Sequence, residues 1–368
     1  MRRPALAALL LLAAGCATAP PVPVVPAWDA PAGTSSSVAD DERASWEEAV
    51  ALRATVEKKG EFVDDPALRA YLVAVLNGLL AGPLPAQGPT LDVRVVRSAA
   101  QLGLCSPDGV VLISTSTLAT LRNEAQLAAL LGHELGHITG RHRLVQTRYA
   151  ALSRSMVERM ELSRAHEAEA DRYAFDALQR AGYDPRELPR MLVLVEPGKD
   201  VAAPVELAAF RSHPFTDERV ADLERAAPAA PGQPGSRGDA ERYAQAIVDV
   251  LPIAALEELD AGQFDRALAT IERYQTQRPD SGRGYYLKAE HARRTEPDGR
   301  RSPPARRAYE RAVELAPDDP DAVKALGFLY HDGGEPERAA PLLERYLRLA
   351  PDAADRRLVE RYLGRTAP

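Results

Sequence analysis

Cysteine is nearly absent from this chain: Cys16 and Cys105 are the two among 368 residues. A fold stapled by several disulfides is therefore excluded. Aromatic residues are sparse, at 5%, which disfavours an all-β architecture, whose strands draw on aromatic and β-branched side chains. No excess of positive charge is present, since 46 Lys and Arg face 53 Asp and Glu, a formal charge of -7. That balance argues against nucleic acid as a partner, because phosphate binding needs clustered cations. No apolar run approaches the roughly 20 residues that span a bilayer. What is present is ordinary globular material, 45% hydrophobic and 27% charged. Abundant alanine and arginine favour helix over sheet, and the length suggests two or more folding units.

The N-terminus departs from this average. Arg2 and Arg3 precede an apolar run from Ala5 to Ala14, then Gly15 and Cys16. The run is too short for a comfortable membrane span and fits the apolar core of an export signal. Its end, Leu12-Ala13-Ala14-Gly15-Cys16, resembles a bacterial lipoprotein signal. That resemblance implies residues 1–16 as signal, lipid on Cys16, and, from Ala17 at the next position, sorting to the outer membrane. The rival is a plain secretory peptide. With Cys16 lipidated, Cys105 lacks a disulfide partner and reads as a buried small hydrophobe. Residues 17–39, rich in Pro, Ala and Ser without periodicity, read as an extended tether.

Amphipathic helices are expected over Asp40–Lys59 and Pro66–Leu80. Strands are expected at Leu91–Val96, which alternates, and at Gly109–Ser114, entered from a Pro107-Asp108-Gly109 turn. A helix capped by Thr120 or Asn123 and stopped at Gly140 follows, then a long helical run from Leu144 to about Arg180. Residues 227–239 are a linker by composition. From Ala240 the sequence is helical and repetitive: Ala316-Pro317-Asp318 recurs as Ala350-Pro351-Asp352, at the tetratricopeptide spacing of about 34 residues. Leu326, Gly327, Tyr330, Ala339 and Leu343 fall at that repeat's packing positions. About three repeats and a terminal helix are expected, enough to stack a continuous core.

Chemistry concentrates in His133-Glu134-Leu135-Gly136-His137. Residues four apart share a helix face, so His133 and His137 can offer two imidazoles to one metal. Glu134 sits one position round, within reach of a water but off the ligating face. A zinc hydrolase needs a third protein ligand, and Glu167 and Asp171 both offer a carboxylate on one face of the following helix. Gly132 and Gly136 cost helix stability, up to about 1 kcal/mol each against alanine, and suggest close packing beneath the site. His142, His166, His291 and His331 read as surface residues.

The His motif and the later Ser163-Arg164-Ala165-His166-Glu167-Ala168-Glu169-Ala170-Asp171 segment together resemble the gluzincin zinc peptidases of the HtpX, CAAX-prenyl-protease and BepA group. The likeness covers roughly Asp40 to Ala226 and, with the trailing repeats, leans to the BepA-type exported lineage. It implies one Zn2+ per chain held by His133, His137 and Glu167, with Glu134 as general base and Asp171 orienting a ligand histidine. His213-Pro214-Phe215-Thr216-Asp217-Glu218-Arg219 is similar to the family's His-Pro segment. There His213 would stabilise the tetrahedral intermediate or occupy the open zinc position, and Arg219 would fix the segment or bind a carboxylate. Leu102–Gly109 departs from the family's usual sequence at the edge where an extended substrate would pair.

The expected fold is thus α+β and mainly helical: a zincin-like domain with a small sheet at 40–226, then an α-solenoid of tetratricopeptide repeats at 240–368. The expected function is a periplasmic zinc endopeptidase acting on misfolded or assembling envelope proteins, with outer-membrane assembly machinery as a further partner of the repeats. The alternative is an assembly adaptor with a latent protease site.

Overall fold

The computed structural model describes residues 19–28, 36–195, 217–226, 240–296 and 302–365. Its first half runs α1 (Ser36–Lys58), α2 (Pro66–Asn77), β1 (Asp92–Val96), β2 (Gly103–Cys105), β3 (Val110–Ser114), α3 (Thr115–Thr120), α4 (Glu124–Thr139), α5 (His142–Leu152), α6 (Met156–Ala181), α7 (Glu187–Leu194) and α8 (Asp217–Ala226). Among the described residues every element of the second half is helical: α9 (Ala240–Ile247), α10 (Leu251–Asp260), α11 (Phe264–Gln277), α12 (Gly282–Thr295), α13 (Pro303–Leu315), α14 (Pro320–Asp332), α15 (Pro336–Leu349) and α16 (Arg356–Tyr362). Among the described residues the protein is mainly helical with one small sheet.

That sheet has the order β1-β3-β2. The central β3 is buried at all five positions, as the unbroken Val-Val-Leu-Ile run demands of a strand covered on both faces. It pairs parallel with β1 and antiparallel with β2. The sequence does not announce β2, because three residues containing a glycine carry no readable alternation. Gly103 is needed there: a Cβ would lie 2.6 Å from Leu130 Cδ1 on α4. The edge strand is thereby pressed against the helix that carries the His motif.

Asn123, rather than Thr120, caps α4, accepting a hydrogen bond from the Gln126 amide at 2.8 Å. The long helix expected from Leu144 to Arg180 is two helices. Ser153 and Ser155 interrupt it, and the Ser155 hydroxyl accepts from the Glu158 amide to start α6, as a short hydroxyl side chain does at a helix N-cap. Helices α4 and α6 approach closely through the glycines. A Cβ on Gly132 would meet Ala174 Cα at 3.3 Å, and one on Gly136 would meet Ala170 Cα at 2.8 Å.

The stretch read as a tether is partly engaged. Helix α1 already begins at Ser36, and the Trp28 indole N–H donates to Glu42 at 3.0 Å. Arg141 holds both Glu42 and the carbonyl of Pro26.

In the second half α10 pairs with α11, α12 with α13, and α14 with α15, with α16 after them. Helix α9 and the first hairpin, α10 and α11, lock onto α3 and the residue that ends it. Tyr243 donates to the Leu118 carbonyl at 2.8 Å, Arg273 to those of Ala119 and Leu121, and Glu258 accepts from Ser116 and Thr270 at 2.7 and 2.8 Å. Leu131 and Leu135 of α4 belong to the same buried cluster as Leu251 and Ile271. The residues of the compositional linker, 227–239, lie outside those described.

Candidate metal centre

His133 and His137 project from one face of α4, and their Nε2 atoms stand 3.2 Å apart. From α6, Glu167 Oε2 lies 3.5 Å from His133 Nε2 and Oε1 lies 3.5 Å from His137 Nε2. Two imidazoles and a carboxylate therefore converge, all three buried. A tetrahedral ion with ligands at about 2.05 Å separates those ligands by roughly 3.3 Å. The two Glu167 contacts use different oxygens; with one ligand atom from each residue the three lie within 4.8 Å of one another, so the donor set suits zinc in chemistry and needs only a small inward shift to meet that spacing. Glu134, 1% exposed, sits between the two histidines in sequence and beside the Cys105 thiol, which hydrogen-bonds it.

A carboxylate and a guanidinium back the site. His133 Nδ1 lies 2.9 Å from Asp171 Oδ1; an ionised carboxylate only accepts, so the ring donates from Nδ1 and leaves Nε2 for a metal. Arg219, from α8, donates to both oxygens of Asp171 and also reaches Glu167 at 2.9 Å. Burial would raise the Asp171 pKa, but the hydrogen bonds from His133 and Arg219 outweigh it and hold the carboxyl below its ordinary value. Burial likewise works against charge on His133, yet Asp171 and Glu167 together lift that imidazole to about 10. Two buried carboxylates make this a place that demands positive charge.

Two histidines read as surface residues are inside the protein. His142 and His166 are 2% and 6% exposed. His142 Nδ1 lies 2.9 Å from His137 Nδ1, and the His166 ring stacks flat on His142 with centroids 4.1 Å apart. Burial, then the neighbouring His142, lowers the His166 pKa to about 4. The sequence carried one signal for this, a further His five residues beyond His137, but the break at Gly140 and Arg141 puts it off the α4 face. Cys105, read as a buried small hydrophobe, does pack against the main core cluster. It is half-buried on β2 and lines a cleft with Ser106, Pro107, His137 and His142. Burial of the sulfur and the Glu134 carboxylate push its thiol pKa up. His291 and His331 are half-buried in the repeat region. His213 and Cys16 lie outside the described residues.

Comparison with known proteins agrees with this geometry. Residues 84–158 and 150–227 match Peptidase family M48, and residues 299–364 match the tetratricopeptide repeat. A Beta-barrel assembly-enhancing protease of Yersinia pestis is 26% identical over 195 residues, 44% of this chain and 40% of that protein. The protein of the same name from Escherichia coli K12 is 26% identical over 151 residues, 32% of this chain and 31% of its own length. The Mitochondrial metalloendopeptidase OMA1 of Arabidopsis thaliana is 28% identical over 122 residues, 28% and 25% of the two chains. The chain thus spans less than half the length of these curated relatives. Residues 84–227, which hold the His-His-Glu cluster, are a Peptidase family M48 domain on a chain that ends in tetratricopeptide repeats.

Proposed function

We propose that this protein is a zinc-dependent endopeptidase of the bacterial envelope that cleaves misfolded or assembling envelope proteins. The observation that carries the reading is the His133, His137 and Glu167 triangle with Glu134 on the same helix. When bound, zinc would polarise the scissile carbonyl and acidify water at the site. Glu134 takes the proton from the attacking water and returns it to the leaving amine. Asp171, clamped by Arg219, fixes the tautomer and plane of His133. The outer edge of β2 receives the substrate backbone as an added strand, and His213 either covers the open ligand position or steadies the tetrahedral intermediate.

The division we propose runs 1–16 signal, 17–39 tether, 40–226 peptidase domain, 227–239 linker and 240–368 repeat domain. Lipid on Cys16 would hold the protein to the periplasmic face of the outer membrane. Among the described residues no helix is long and apolar enough to cross a membrane. The name of the Yersinia and Escherichia relatives, Beta-barrel assembly-enhancing protease, supports envelope proteins as substrates. The repeats would gather them, and outer-membrane assembly machinery is the natural further partner.

A second reading, an assembly adaptor that works by binding, is favoured by one feature. The repeats form a groove lined by Tyr286, Phe328 and Tyr362 with charges of both signs, Arg293 and Lys324 beside Asp321 and Asp332, a mixed surface suited to an extended chain. The Glu134→Gln variant separates the readings. It should bind zinc as the unaltered protein does and fail to cleave an unfolded outer-membrane β-barrel protein. If the variant restores outer-membrane integrity to a deletion strain, binding is the working activity and the endopeptidase reading fails.

A further inference from the structure

The two imidazoles of the metal triangle are backed differently. His133 has a carboxylate behind it, Asp171, at 2.9 Å. His137 has another imidazole behind it, His142, also at 2.9 Å and Nδ1 to Nδ1. We infer that His142 is a positioning residue for His137: it accepts the His137 Nδ1 proton's hydrogen bond and so presents His137 Nε2 to the metal. The inference rests on the metallopeptidase reading and extends it to a residue off the metal-ligating face.

Three independent features of the chain hold His142 for this task. The first is backbone. Helix α4 ends at Gly140, and Arg141 then takes φ 53°, a positive φ at a non-glycine residue. A left-handed conformation costs a side-chain-bearing residue about 1–2 kcal/mol and persists where surroundings enforce it. Here Glu42 on α1 and the Pro26 carbonyl grip the Arg141 guanidinium. The turn brings the next residue back beneath the helix it has just left. The second is space. A Cβ on Gly140 would lie 2.3 Å from His142 Nε2, so the ring occupies room that only glycine leaves. The third is the ring's own packing. His166 lies parallel to it, with 2° between planes, and Gln146 Nε2 stands 3.3 Å from His166 Nδ1.

The proton inventory is consistent. His137 ligates through Nε2 and therefore carries its proton on Nδ1. His142 then accepts at Nδ1 and carries its own proton on Nε2, which faces the exposed Glu169 carboxylate at 3.4 Å. A line of groups thus runs from the metal position through His137 and His142 to a carboxylate at the surface. An outer partner of this kind raises ligand basicity and fixes ring orientation, and losing one typically lowers metal affinity about 10–100-fold.

The test is zinc affinity, measured by competition with a chelator on the full chain, for three proteins. His142→Leu removes the acceptor and keeps much of the volume. His142→Asn places a carbonyl oxygen near the former Nδ1. We expect His142→Leu to bind zinc roughly 10–100-fold more weakly and His142→Asn to recover most of that loss. Equal affinity for the Leu variant and the unaltered chain would overturn the inference and leave the metal site standing, as would an Asn variant no better than Leu. Failure of the unaltered chain to bind zinc would overturn the metallopeptidase reading itself. Should His142→Leu not fold, histidine 15N spectra of the zinc-loaded unaltered chain decide instead. The expected tautomers carry the proton on His137 Nδ1 and His142 Nε2. A proton on His142 Nδ1 would overturn the assignment.

Discussion

Arg219 holds Asp171 through two parallel hydrogen bonds, Nε to Oδ2 and Nη2 to Oδ1, each 2.8 Å. The planar fork of a guanidinium matches a carboxylate in a way an ammonium cannot. Both side chains are nearly enclosed, at 12% and 6% exposure. Because Asp171 also lies 2.9 Å from His133 Nδ1, the clamp extends from α8 to the proposed metal position.

The clamp yields the first prediction. Arg219→Lys keeps the charge but loses the bidentate geometry, and metal affinity and kcat/KM should each fall about 10–100-fold. Arg219→Ala leaves two buried carboxylates without their cation and should cost about 3–5 kcal/mol in urea unfolding of the metal-free chain. A Lys variant with unaltered metal affinity would contradict the role assigned here.

The glycines of α4 give a paired prediction. Gly136→Ala drives a methyl to 2.8 Å from the Ala170 backbone, where neither helix axis can yield cheaply. It should destabilise by about 1–3 kcal/mol and, by separating α4 from α6, weaken zinc binding. Gly132→Ala meets Ala174 at 3.3 Å, and a gain in helix propensity of up to about 1 kcal/mol should offset most of its strain. Thermal melts of the two variants, with and without zinc, check the ordering.

Glu258 carries a pH prediction at the seam between α3 and the repeats. Burial raises its pKa above the ordinary 4.5, although the Ser116 and Thr270 hydroxyls both donate to it and oppose the shift. A raised folded-state value means the native protein binds this proton more tightly than the unfolded chain does. Stability from this group is therefore greatest below about 4.5 and is lost as pH rises through the folded value. Glu258→Gln removes the buried charge while its amide still serves both hydroxyls. At pH 7 the variant should melt a few degrees higher than the unaltered chain, and the gap should close as pH falls toward 4.5. Melting curves at pH 4.5, 5.5 and 7 measure it.

How far these features could be read in advance depended on their range along the chain. The pairing of His133 with His137 is local, fixed by helical spacing, and the repeat hairpins follow from a 34-residue recurrence. Both were legible. The contribution of Glu167 needed two helices to meet, and the choice between it and Asp171 came from family resemblance rather than spacing. His142 was missed because its placement depends on one left-handed residue, Arg141, secured by a glutamate 99 positions away. Periodicity does not register such a turn. Strand β2 was missed because its three residues are defined by the neighbour they pair with.

The most direct test of the metal centre is anomalous diffraction at the zinc edge from crystals of the zinc-loaded chain. One peak per chain is expected, about 2.0–2.2 Å from His133 Nε2, His137 Nε2 and a Glu167 carboxylate oxygen. A zinc-loaded crystal with no peak there, or with its zinc held by other residues, would contradict it.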